Sequence, residues 1–83
     1  MEFIEEVVGV LAKRAAELFN VDAATLSAAT RFNEDLHCKS VDLVKFTTTL
    51  EDEYDVEVPF MAFKRSLTFG DAAAFVADAL GVS

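Results

Sequence analysis

The chain has 83 residues and a formal net charge of −8, from 15 acidic and 7 basic side chains. A chain of this length suits one domain, residues 1–83, with a small core, and an apolar fraction of 53% excludes a disordered tail. The acidic balance argues against binding a nucleic-acid backbone, which needs clustered Lys and Arg, and favours steering toward basic protein surfaces. No apolar run is long enough to span a membrane. The start, Glu2-Phe3-Ile4-Glu5-Glu6, lacks the basic segment of a signal peptide. Cys38 is the single cysteine, so no internal disulfide can form. The expectation is a soluble cytoplasmic monomer.

A first helix is expected from Glu2 to Phe19. Ile4, Val8, Leu11, Ala15 and Leu18 recur at helical spacing, widened by Phe3, Val7 and Phe19. Glu2, Glu5 and Glu6 suit the positive end of the helix dipole. Lys13 and Glu17 are spaced as an i,i+4 pair, and Asn20 is a stop. From Val21 to Lys39 the periodicity fades. Val21, Leu26, Phe32 and Leu36 are spaced as anchors for a long loop, with a helical turn within Ala23 to Ala29. Loops beyond about 12–15 residues are uncommon in compact domains and are often functional.

A second helix is expected from Ser40 to about Asp55. Leu43, Phe46, Thr47, Leu50 and Tyr54 gather on its core face. The other side carries Val41, Val44, Lys45, Thr48, Glu51, Asp52 and Asp55, a mixture suited to transient docking. Val56 to Pro59 reads as extended. A short helix follows, with Pro59 in its first turn and Phe60 to Lys64 as its body. Thr68 and Asp71 have capping-box spacing before a last helix, Phe69 to Leu80, whose stripe is Phe69, Ala72, Val76 and Leu80 with Ala73 and Phe75 beside it. Gly81 is a C-terminal stop. The fold class is all-α: a small bundle of three main helices, a short helix in third position, and a long loop between the first two helices.

Two segments carry a resemblance. Phe32-Asn33-Glu34-Asp35-Leu36-His37-Cys38-Lys39-Ser40-Val41-Asp42-Leu43 is similar to the modification site of acyl carrier proteins, roughly Phe-x-x-Asp-Leu-Gly-x-Asp-Ser-Leu-Asp. It matches at Phe32, Asp35, Leu36, Ser40 and Asp42, and departs at His37, Lys39 and Val41. Leu50-Glu51-Asp52-Glu53-Tyr54-Asp55-Val56-Glu57-Val58-Pro59 resembles a second family segment at the expected distance. The resemblance implies a carrier without catalysis of its own. Its cofactor is phosphopantetheine on Ser40, attached by a phosphopantetheinyl transferase from coenzyme A with magnesium. Its cargo is an acyl thioester for fatty-acid or related biosynthesis.

Several residue roles follow from the resemblance. Lys39 is a candidate contact to the arm's phosphate. Val41, Asp42, Val44, Lys45, Thr48, Glu51, Asp52 and Asp55 are candidates for docking acyl-loading and acyl-processing enzymes with basic patches. Leu43, Phe46, Thr47, Leu50, Phe63, Leu67 and Phe75 are candidates to line an acyl pocket, or else to fill an ordinary core. Lys39, Lys45 and the apolar, basic segment Phe60 to Arg65 depart from the family's usual acidic positions and imply specialised partners. Polyketide-type or peptidyl cargo, and an unmodified interaction module, remain alternative readings. Read locally, without the resemblance, Ser40 is an ordinary helix N-cap. His37 and Cys38 lack the further ligands of a zinc site and an oriented base, so neither a metal nor a nucleophile role is expected.

Overall fold

The computed structural model describes residues 2–82; Met1 and Ser83 lie outside it. Four helices appear among the described residues: α1 (Glu2–Phe19), α2 (Ser40–Tyr54), α3 (Phe60–Phe63) and α4 (Phe69–Leu80). One 3₁₀ turn, Ala23–Thr25, lies in the long connection before α2. It is shorter than the Ala23–Ala29 turn expected, because Ser27 and Thr30 form their own hydrogen-bonded turn immediately after it. The molecule measures 32 × 25 × 20 Å. α1 packs on both α4 and α2, and α3 packs on α2.

The core face of α1 is centred on Val7, Leu11, Ala12 and Ala15, all buried. Val8, Ile4 and Leu18 flank it as half-buried residues rather than leading it. The expected Lys13–Glu17 pair is absent among the described residues; Arg14 instead reaches Glu17 at 3.3 Å, one turn apart on an exposed edge. α4 buries Phe69, Ala72, Ala73, Val76 and Ala77. Leu80, expected on that stripe, is the last residue of α4 and is 38% exposed. Both ends of α4 follow the sequence signals. Thr68 Oγ1 accepts from Asp71 N–H at 3.1 Å, Asp71 accepts in return from Thr68 N–H at 3.2 Å, and Gly81 is left-handed at φ 72°. Pro59 precedes α3 as its N-cap rather than lying within its first turn.

The long loop is held to the bundle by one ring and a set of backbone bonds. Phe32 is buried, with its ring centroid 5.4 Å from Phe46, 5.2 Å from Phe63 and 5.0 Å from Phe69. Its amide donates to Leu67 O, and its carbonyl accepts from Cys38 N–H. The amides of Phe69 and Gly70, unsatisfied within α4 because they open it, donate to Thr30 O and Ala28 O. That approach is close. A Cβ at Gly70 would stand 3.1 Å from Ala28 O. Leu26 and Leu36 pack partly against the core, whereas Val21, expected as an anchor, is 37% exposed.

Candidate functional site

α2 begins at Ser40, and the residue that caps it is Lys39, in extended conformation. A lysine side chain has no acceptor, so it cannot cap. The Asp42 carboxylate makes only the reciprocal bond of a capping box, accepting from Lys39 N–H at 2.9 Å and leaving the first amides of α2 open. Ser40 is therefore the first helical residue and not the N-cap. Its hydroxyl is exposed and has no hydrogen-bond partner among the described residues. The amides of Ser40 and Val41 also lack a protein acceptor there. The start of α2 thus offers a free hydroxyl, free N–H groups and the positive end of a 15-residue helix.

The loop before Ser40 is shaped by a tight turn. Asp35 N–H donates to Arg31 O and His37 N–H to Asn33 O. Arg31 in turn pairs with Glu34 and, at 3.0 Å, with Asp35. Bonding to Arg31 holds the Asp35 carboxyl below its ordinary range. His37 closes the turn at φ 53°, in the left-handed region. The resembling family pattern has glycine there, the residue for which this conformation is free of steric cost.

Beside Ser40 opens a cavity of about 410 Å³. Phe32, Cys38, Ser40 and Leu43 form one side, and Lys64, Ser66, Leu67 and Thr68 form the other. Of the seven acyl-pocket candidates, the structure brings Leu43 and Leu67 to this cavity. Phe46, Thr47, Leu50 and Phe63 are buried in the closed core. Phe75 lines a separate groove with Ala62, Arg65 and Asp78. The Phe cluster explains the division: rings at 5.0–5.4 Å fill the space between α2, α3 and α4. Cys38 and Lys64 line the cavity although neither was expected there. The sequence signal for Cys38 is its place two residues before Ser40. Lys64 has only its sequence nearness to Leu67 as a signal.

The docking candidates divide as well. Val44, Lys45, Thr48 and Asp52 line one shallow groove along α2. Val41 and Val44 are 57% and 46% exposed. Asp42 is turned to the Lys39 backbone, and Glu51 accepts from Val58 N–H at 2.9 Å, tying α2 to the segment before α3. Asp55 ends α2 in the left-handed region at φ 50°. Burial pushes the Cys38 thiol up to about 11, with Asp42 adding to the shift. No cluster of three or more metal-ligating side chains occurs among the described residues, and no helix there is long and apolar enough to cross a membrane.

A helical bundle presenting an uncommitted serine hydroxyl at a helix start has the architecture of a phosphopantetheine carrier. The family described as a phosphopantetheine attachment site matches residues 9–76. An acyl carrier protein of Lactobacillus acidophilus is 35% identical over 72 residues, covering 87% of this chain and 90% of that protein. An acyl carrier protein of Helicobacter pylori is 30% identical over 78 residues, covering 94% and 95%. The chain belongs to the acyl carrier protein family. It is a carrier and not a catalyst, its cofactor is phosphopantetheine, and its work requires modifying and acyl-processing enzymes as partners. The residues at the start of α2 fit that group: an exposed hydroxyl to receive it, with free amides and a helix dipole to favour its phosphodiester anion.

Proposed function

We propose that Ser40 bears the phosphopantetheine arm, and that the chain carries acyl groups as thioesters in fatty-acid or related lipid or secondary-metabolite biosynthesis, in the cytoplasm. The observation that supports this reading is the freedom of the Ser40 hydroxyl. Ser40 stands at the first helical position, one past the N-cap Lys39, so its hydroxyl is not spent on an amide of α2. In loading, Ser40 Oγ forms a bond to the phosphorus of coenzyme A that bears the pantetheine. The bond from that phosphorus to the adenosine bisphosphate half breaks, and the serine proton goes to a base on the transferase. The arm, once attached, supplies a terminal thiol for the acyl group. The chain contributes the hydroxyl, its exposure, and a positive helix end to hold the phosphodiester, with Lys39 as the adjacent cation. Leu43, Leu67, Phe32 and Cys38 line the space nearest the attachment point. Val41, Val44, Thr48, Asp52 and Asp55 are the surface for docking along α2.

Incubation with coenzyme A, magnesium and a phosphopantetheinyl transferase tests the assignment by intact mass. Wild type is expected to gain the mass of one arm. Ser40→Ala is expected to gain nothing while keeping its helical circular dichroism. Modification of the Ser40→Ala chain would move the site elsewhere.

A further inference from the structure

The cations of this acidic chain are unevenly placed. Arg31 is paired with Glu34 and Asp35, and Arg14 with Glu17. Lys39 and Lys64, like Lys13, Lys45 and Arg65, are exposed and form no ion pair among the described residues, but these two lie nearest Ser40. Lys39 directly precedes Ser40, and Lys64 lines the cavity that Ser40 shares. The nearby acids are hydrogen-bonded within the chain and pair with neither lysine, although the neutral amides on Asp42 and Asp71 leave those charges in place: Asp42 accepts from the Lys39 amide, Asp71 from the amides of Leu67 and Thr68, and Glu34 from Arg31. Helix stability does not account for Lys39. A cation at a helix start opposes the dipole, and Lys cannot supply the capping acceptor that Ser, Thr, Asp or Asn would. A residue that breaks a local rule without a structural return points to function. Before the arm is attached, no phosphate is present to compensate it.

Exposed apolar side chains accompany these cations. Leu67 is 72% exposed, Met61 66% and Val41 57%. At the other end of α2 the exposed charges reverse, at Asp52, Glu53 and Asp55. Lys39 and Asp52 are separated by about 20 Å of helix. That is roughly two Debye lengths at physiological ionic strength, so the two ends act as separate fields.

We infer that the face around Ser40 is electrically divided, and that the enzyme loading Ser40 presents carboxylates to Lys39 and Lys64 around an apolar contact with Leu67, and basic groups to Asp52 and Asp55. The inference rests on Ser40 being the attachment site and goes further, by stating the chemistry of the loading partner. A uniformly basic docking face would meet like charge at Lys39 and Lys64.

A charge-swap experiment tests it. The probes are a phosphopantetheinyl transferase with a basic docking face and the same enzyme with those basic residues changed to glutamate. Each is assayed with coenzyme A and magnesium on wild type, Lys64→Glu, and Lys39→Glu with Lys64→Glu, after circular dichroism has confirmed folding. Arm transfer from coenzyme A is followed by mass. The double variant is expected to raise kcat/KM with the basic enzyme by about 10-fold and to lower it with the reversed enzyme, both effects shrinking in high salt. Lys64→Glu alone is expected to move in the same directions, and it leaves the residue beside Ser40 untouched. Transfer to Ser40 at rates indifferent to these reversals would overturn the divided face alone. No transfer to any of the chains by either enzyme would overturn the attachment site and the inference with it.

Discussion

Among the described residues, three besides glycine have positive φ, namely Asn20 at 55°, His37 at 53° and Asp55 at 50°. They are the residue types most tolerant of the left-handed region. His37 holds the turn that delivers the chain to Ser40, so its strain bears on the site. His37→Gly is expected to stabilise the fold by a few tenths to about 1 kcal/mol, the relieved strain exceeding the added chain entropy. His37→Val is expected to destabilise it. Urea denaturation of the two variants checks both signs. Cys38, half-buried against the cavity, has its thiol raised from an ordinary 9.0 to about 11. At pH near 8 its thiolate fraction is then roughly 100-fold below that of an unshifted thiol, since the thiolate is the reactive form. Alkylation by iodoacetamide is expected to be slower by that order, and to reach the ordinary rate in urea. A native-state rate equal to the unfolded one would show the thiol to be free of burial. The attachment motif was readable from sequence, but the release of Ser40 from capping was not. It depends on α2 starting at Ser40 with Lys39 in the N-cap position, a boundary one residue from the one that local spacing favours.

Helix existence and limits were legible because their signals are local. α1 and α4 coincide with the spans read from periodicity, and the Thr68–Asp71 box and Gly81 stop act as their residue types require. Which face turns inward was less legible. Val7 and Ala12 on α1 are buried only because α4 and α2 lie where they do. Gly70 carried no readable signal either, since its need arises from Ala28, 42 residues earlier in the chain. Two glycines in helices therefore make a matched test. Gly9 lies within α1, where an added Cβ would meet nothing within 4 Å, whereas a Cβ on Gly70 meets Ala28 O at 3.1 Å and Ala28 Cβ at 3.3 Å. Gly9→Ala is expected to stabilise the protein by about 0.5–1 kcal/mol through helix propensity. Gly70→Ala is expected to destabilise it, because Ala28 O is backbone held by the Gly70 amide itself. Thermal unfolding of the pair decides it. Equal shifts would mean that the loop does not press on α4.

The molecule as a whole joins a filled interior to a mixed outer face. The four-phenylalanine cluster of Phe32, Phe46, Phe63 and Phe69 closes the middle, which sequence could not separate from a cargo chamber because both use apolar residues. How closely those residues fill the space is a property of the assembled helices. Val44 is 46% exposed, so Val44→Asp is expected to leave stability within about 0.5 kcal/mol of wild type while weakening partner binding. The on-rate for a cognate enzyme is expected to fall as salt rises, since complementary charge mainly speeds encounter and exposed charges are screened. Stopped-flow binding at low and moderate salt measures this. A salt-independent on-rate with normal binding by Val44→Asp would place docking on another surface.

The central claim, that Ser40 carries the arm and the arm carries acyl cargo, is tested most directly by the intact mass of the protein isolated from its native host, with fragmentation to locate the modification. The expected result is one phosphopantetheine on the peptide containing Ser40, with a further acyl mass on part of the population identifying the cargo. An unmodified chain, or an arm on any other residue, would contradict it.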